Sequence, residues 1–109
     1  MAQVAYVYIL QCRGSRFYTG YTIDPLNRWK AHQAQKVKFT TAFPPKKVLG
    51  LWKIESGKAN AMKLEWYLKK KCTKMQKQAW IESKEPIVQK VLGEFSFSIE
   101  KIDSQIMQN

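Results

Sequence analysis

Five residues of this chain have types and spacing suited to chemistry on a phosphate: Tyr8, Tyr18, Arg28, His32 and Glu65. Tyr8 and Tyr18 fall in two neighbouring stretches rich in β-branched and aromatic residues. Arg28 and His32 stand four apart, which places both on one face of a helix. Glu65 is the only acid between Glu55 and Glu82, in a stretch that is otherwise basic. A phosphodiester is anionic and its transition state gathers more charge, so a fixed cation is needed; the planar fork of Arg28 suits phosphate oxygens. Taken singly, each residue also has a plainer reading. The tyrosines can be half-buried sheet aromatics, Arg28 a solvated charge, and His32 a surface or capping residue. Glu65 can pair with Lys69 at i, i+4 for a few tenths of a kcal/mol.

The elements that must position these residues are legible in the pattern. Val4 to Leu10 reads as a buried strand, Arg13 to Arg16 as a turn, and Phe17 to Tyr21 as the return strand. Gly20 inside that strand suggests a bulge or a close backbone approach. Asp24 as N-cap with Pro25 at the first helical position starts a helix that runs to about Gln35. Val37 to Lys47 reads as a loop broken by Phe43-Pro44-Pro45, and Val48 to Ile54 as a third strand. A helix is predicted over 58–71, because Ala61, Leu64, Leu68 and Cys72 form one apolar stripe. A short helix is expected over 74–81, another over Ile87–Leu92 ending at Gly93, and a late edge strand over 95–99. The end after Asp103 is expected to fray. The fold class is α+β: a small three-stranded antiparallel or mixed sheet flanked by helices in the order ββαβαα. One domain over 1–83 is expected, with 84–109 as a C-terminal extension packed on it.

The 109 residues carry 19 Lys and Arg against 8 Asp and Glu, a formal net charge of +11. That charge is uneven. Residues 1–81 hold sixteen basic and three acidic side chains, a balance of +13, whereas 82–109 carry −2. A basic body with a mildly acidic tail fits a polyanionic partner, nucleic acid above all. Lys36, Lys38, Lys46, Lys69, Lys70, Lys74 and Lys77 are the candidate phosphate contacts; the lysine-rich stretches also fit a solvated face. With 45% hydrophobic residues the chain can bury a core, which excludes disorder as a description of the whole. The longest apolar run is far short of the roughly 20 residues that span a bilayer, and no signal-peptide pattern opens the chain, so a soluble, cytoplasmic protein without a membrane partner is expected. Two widely separated cysteines and one histidine argue against a tetrahedral structural zinc site; Cys12 and Cys72 read as reduced, mostly buried thiols. Trp29, Trp66 and Trp80 read as packing residues.

In this order, the residues resemble the GIY-YIG nuclease superfamily, and small stand-alone members and the UvrC-type N-terminal nuclease domain in particular. Tyr6-Val7-Tyr8 stands where that family has Gly-Ile-Tyr, and Tyr18-Thr19-Gly20 where it has Tyr-Ile-Gly. The resemblance covers roughly residues 4–80. It implies that Arg28 and His32 are catalytic, that Glu65 is both catalytic and the metal ligand, and that Tyr8 is the general base with Tyr18 or His32 assisting. A hard divalent cation, Mg²⁺ or Mn²⁺, is implied as cofactor. With three acids in the first 81 residues, the chain suits one metal on one carboxylate. An ordinary tyrosine pKa near 10 is high for a base, so the cationic surroundings are expected to lower that of Tyr8, or the metal to help.

The chain differs from the family pattern at several positions. Tyr6 replaces a glycine, Thr19 an isoleucine, and Tyr21 follows the second signature where UvrC-type members carry a lysine. Lys77, between Gln76 and Gln78, stands where many members have an asparagine. The function expected is metal-dependent endonuclease hydrolysis of DNA phosphodiesters, structure- rather than sequence-selective, in repair or recombination. A protein partner or a homodimer would supply substrate choice. The alternative is a non-catalytic nucleic-acid-binding module on the same scaffold.

Overall fold

Strand β1 (Ala5–Cys12) is apolar on both faces, and it therefore occupies the middle of a sheet. Ala5, Val7 and Ile9 enter one core with Trp52, Ile54, Leu64 and Leu68. Tyr8, Leu10 and Cys12 enter the other with Trp29, Val48 and Leu51. The computed structural model describes residues 3–83 and 97–108. Within these, β2 (Arg16–Thr22) and β3 (Pro45–Ile54) flank β1, and β4 (Glu100–Ile102) lies outside β3. The four-stranded sheet is antiparallel throughout, in the order β2-β1-β3-β4. The hairpin register sets Tyr8 opposite Gly20 and Leu10 opposite Tyr18. Gly14 and Ser15 turn the hairpin with φ of 78° and 58°, conformations for which glycine carries no Cβ penalty.

Helices cover both faces. On one side lies α1 (Pro25–Gln33), whose N-cap Asp24 accepts from the Asn27 backbone N–H at 3.2 Å with Pro25 behind it. On the other lies α3 (Lys58–Lys70), with Ala61, Leu64 and Leu68 of the expected stripe fully buried. Next comes α4 (Lys74–Glu82), opened by a capping box between Thr73 and Gln76. The α+β class stands, and the sheet has a fourth strand.

Four local expectations are corrected. Lys38–Ala42, expected as loop, is a short helix α2 whose Thr40 is fully buried. It lacks an N-cap side-chain bond and an apolar repeat long enough to read, so tertiary contacts hold it. The edge strand is Glu100–Ile102 rather than 95–99; Phe97–Ile99 lies outside any strand, and 95–96 and the expected helix at 87–92 lie outside the described residues. Lys101 of β4 donates to the carbonyls of Ile81 and Ser83, which ties this strand to the end of α4. Gln105–Gln108, expected to fray, forms α5, with Met107 fully buried and Gln108 Oε1 accepting from the Val48 N–H at 3.0 Å. Trp66, expected to pack, is 48% exposed. Trp29 and Trp80 are buried, Cys12 is buried and Cys72 half-buried, and both thiols are free. Among the described residues no helix is long and apolar enough to cross a membrane.

One buried group is unmatched. Thr19 is 2% exposed, and its Oγ1 has no hydrogen-bond partner among the described residues. Valine keeps the branched shape without the stranded hydroxyl, whose desolvation costs about 1 kcal/mol or more. Thr19→Val is therefore expected to raise the melting temperature by about 4–8 °C per kcal/mol recovered. A lower melting temperature by differential scanning calorimetry would show that the hydroxyl is in fact satisfied.

Candidate active site

The sheet and α1 bring Tyr8, Tyr18, Arg28 and His32 together at one end of the β2 edge. Tyr8 projects from β1 toward α1 and lies across Gly20 of the neighbouring strand. A Cβ built on Gly20 would stand 2.5 Å from Tyr8 Oη and 2.6 Å from Cζ. The glycine is thus required by the phenol, a close side-chain approach rather than a bulge. Tyr18, two residues before Gly20, points to the same face, and its ring centroid is 6.2 Å from that of Tyr8. It packs edge-on against the His32 ring at 5.1 Å.

The hydrogen bonds form one directed chain. Arg28 Nε–H donates to Tyr8 Oη at 3.1 Å. Tyr8 Oη lies 2.8 Å from His32 Nε2, and His32 Nδ1 lies 2.9 Å from Thr40 Oγ1. Thr40 Oγ1 is 3.2 Å from the Val37 carbonyl, which can only accept. The single hydroxyl proton of Thr40 therefore goes to Val37, and Thr40 accepts from His32 Nδ1–H. This assigns the histidine tautomer: Nε2 keeps its lone pair, and the Tyr8 O–H donates to it. The order is Arg28 to Tyr8 to His32 to Thr40 to Val37.

Burial sets the protonation states. The Tyr8 phenol is held above the ordinary tyrosine range by desolvation, against the hydrogen bond and charge of Arg28. The expected lowering does not occur, because Tyr8 is fully buried and the loss of water outweighs one cation. His32 is pushed down to about 4, by burial first and by the Arg28 charge second. Both groups are neutral at pH 7.

A cavity of about 410 Å³ opens beside this chain, lined among others by Tyr18, Gly20, Arg28, Lys58 and Glu65. Tyr8 is the covered member of the tyrosine pair, and Tyr18 is the one on the cavity wall. Glu65 reaches this wall from α3, one position off the buried stripe, and its carboxylate pairs with Lys69 Nζ at 3.4 Å. Among the described residues no cluster of three or more metal-ligating side chains occurs. The Glu65 carboxylate on this wall nonetheless fits a hard cation such as Mg²⁺, which keeps several waters and takes one or two carboxylates.

The candidate lysines divide. Lys69 stands 5.5 Å from the Tyr18 ring centroid and Lys74 4.8 Å from that of Phe17. Lys77 lines a second cavity with Lys74. Lys36, Lys38, Lys46 and Lys70 are exposed and line neither cavity. Both glutamines beside Lys77 have partners on α4: Gln76 is used in its cap, and Gln78 donates to Glu82 at 3.1 Å. Thr40 and Lys58 were invisible in the sequence. Thr40 sits eight residues from His32 in an unrecognised helix, and Lys58 follows Gly57 as one basic residue among many.

The model of the GIY-YIG catalytic domain matches residues 4–78. A UPF0213 protein of Streptococcus sanguinis (strain SK36) is 42% identical over 86 residues, 77% of this chain and 95% of the relative. Another, from Streptococcus pyogenes serotype M5, is 38% identical over 78 residues, 71% of this chain and 84% of its own length. A third, from Halalkalibacterium halodurans, is 40% identical over 65 residues, covering 59% and 68%. Their names state no activity, and no solved structure gives a significant match. With the domain match covering well over half its length, this chain belongs to the GIY-YIG family of nucleases.

Proposed function

We propose that this protein is a metal-dependent endonuclease that hydrolyses DNA phosphodiesters, selecting structure rather than sequence, in cytoplasmic repair or recombination. One observation carries the reading: Arg28, the head of the hydrogen-bonded chain that runs through Tyr8 and His32 to Thr40, lines the same cavity as the carboxylate of Glu65. A packing role asks for none of that directionality.

Glu65 would hold Mg²⁺ or Mn²⁺, which when bound polarises the phosphate and stabilises the leaving oxygen. The guanidinium of Arg28 holds the phosphate, and in moving onto it uncovers Tyr8 Oη. Tyr8 then takes a proton from the attacking water while passing its own to His32 Nε2. No free phenolate is needed, which is how a tyrosine of raised pKa serves as base. His32 carries the proton as imidazolium, with its Nδ1–H still on Thr40. Tyr18, on the wall, orients water or phosphate. The lysines, led by Lys69 and Lys58, track the backbone, and a protein partner or second copy selects the substrate.

The test is cleavage of plain, flapped and branched DNA with Mg²⁺, Mn²⁺ or chelator. Metal-dependent cutting is expected, and binding of all three without any cutting would establish the non-catalytic module instead. Thr40→Val gives a finer check. Valine removes the Nδ1 acceptor, so His32 loses its tautomer and cleavage falls about 10- to 100-fold, the usual cost of removing a histidine's orienting partner. Thr40→Ser restores the rate, and ¹⁵N shifts of the His32 ring report the tautomer. Equal rates for Val and wild type would mean that Thr40 only packs.

A further inference from the structure

Beyond Tyr18, the β1–β2 turn, α2 and α4 border a second, open cavity of about 430 Å³. Three cationic side chains line it, Arg16, Lys74 and Lys77, together with the rings of Phe17 and Phe39, and no acid is among its walls. The cations are fixed but not neutralised. Lys74 donates to the Ser15 carbonyl and stands against Phe17, and the Arg16 guanidinium lies 4.1 Å from the Phe43 ring centroid. Among the described residues, the ion pairs are Lys53–Glu55 and Lys69–Glu65, neither of them here. Lys77 is half-buried, and desolvation lowers its pKa, opposed by Cys72 and aided least by the Lys69 charge. Arg16 and Lys74 are exposed and Lys77 is half-covered; an incoming anion would relieve the cost of covering its ammonium.

The pocket connects to the cleavage site. Phe39 packs on Tyr18 with centroids 5.3 Å apart, and Tyr18 borders the first cavity. Arg16 and Gly20 lie on the same strand four residues apart, roughly 13 Å at the usual strand rise. That is about four nucleotides at the rise of a B-form strand, and fewer in a drawn-out one. The strand is β2, an edge of the sheet, so the path runs along the outside of the fold. Phe17 and Phe39 both border this cavity, and an unpaired base offers an aromatic side chain a face that a paired and stacked base does not.

We infer that the cavity at the β1–β2 turn is a second nucleic-acid subsite that takes an unpaired nucleotide of the substrate strand, its phosphate on Arg16, Lys74 and Lys77 and its base against Phe39 and Phe17. The inference rests on the first cavity being the cleavage site, and it assigns the enzyme to substrates with a single-stranded stretch beside the cut.

Binding measured by fluorescence anisotropy in chelator tests this apart from cleavage. The probes are a blunt labelled duplex and the same duplex with a short single-stranded thymidine tail, each at several salt concentrations. The tail is expected to tighten wild-type binding about tenfold or more. It should also steepen the salt dependence by roughly 0.7 for each tail phosphate neutralised. In the Arg16→Gln, Lys74→Gln, Lys77→Gln variant, with its melting temperature checked, both increments are lost. Chemical shifts of the Phe17 and Phe39 rings should move with a thymidine oligonucleotide and stay in place with inorganic phosphate alone. Equal affinity for the two duplexes, or a tail effect that survives in the triple variant, overturns the proposal. A tail effect without cleavage under any metal condition sinks the nuclease reading and leaves the subsite standing. Cleavage without a tail effect does the reverse.

Discussion

Tyr8→Phe is expected to lower kcat/KM for strand cleavage by about 10³-fold, within the range for loss of a positioned general base. The substitution removes one oxygen and leaves the ring across Gly20, so the core is kept. It strips two groups of their partner, Arg28 Nε and the buried His32 Nε2, at a stability cost of about 1–3 kcal/mol for the buried one. Circular dichroism and a thermal melt separate that loss from the chemical one. The pH profile adds a second signature. His32 must be neutral to receive the proton, and burial with the Arg28 charge pushes it down to about 4. The acid limb of kcat/KM is therefore expected near pH 4, not near 6.5, with activity present above that pH and lost as pH falls through it. A limb at 6.5 would mean that His32 is hydrated in the working enzyme. Full activity in Tyr8→Phe with loss in Tyr18→Phe would transfer the base role to the tyrosine on the cavity wall.

Glu65→Gln is expected to abolish metal-dependent cleavage, a loss of about 10³-fold or more, while DNA binding in chelator stays or tightens slightly. The amide keeps the shape but gives up the charge that a hard cation requires. Removing it also releases Lys69 from its ion pair, leaving one more cation for the backbone. The helix itself loses little, because an i, i+4 helix pair is worth about 0.3–0.5 kcal/mol. This asymmetry separates the two readings of Glu65. A metal ligand predicts loss of cutting with an intact fold, whereas a helix pair predicts normal cutting and a barely lower melting temperature. Cleavage across a Mg²⁺ titration, run beside a thermal melt, decides between them.

Much of this arrangement is legible without coordinates, for identifiable reasons. The hairpin is visible because β1 and β2 are apolar and β-branched around a turn containing Gly14. The start of α1 is visible because Asp24 and Pro25 occupy the two positions that nucleate a helix best, and α3 because its stripe repeats over three turns. Gly20 signals a close approach because a strand interior otherwise rejects glycine. The missed elements share a cause: α2 and α5 are five and four residues long, too short for a periodic pattern, and both are held by contacts from elsewhere. The β4 edge was misplaced because an alternation of Phe and Ser in the tail resembles a strand more closely than Glu100–Ile102 does.

The sequence by itself determined the residue types, their order and their local placement: tyrosines on paired strands, Arg28 and His32 on one helix face, a solitary Glu65 in basic surroundings. These follow from periodicity and capping, which act within a few residues. What only the tertiary structure decided is the protonation logic. That Tyr8 is raised rather than lowered, that His32 is neutral with its proton on Nδ1, and that Thr40 fixes it depend on burial and on partners 8 to 24 residues away. Desolvation is a property of the packed whole, and no local pattern of side chains encodes its size. For the same reason, which basic side chains line a cavity (Arg28 and Lys58 in one, Arg16, Lys74 and Lys77 in the other) is decided only after the chain has folded around β1.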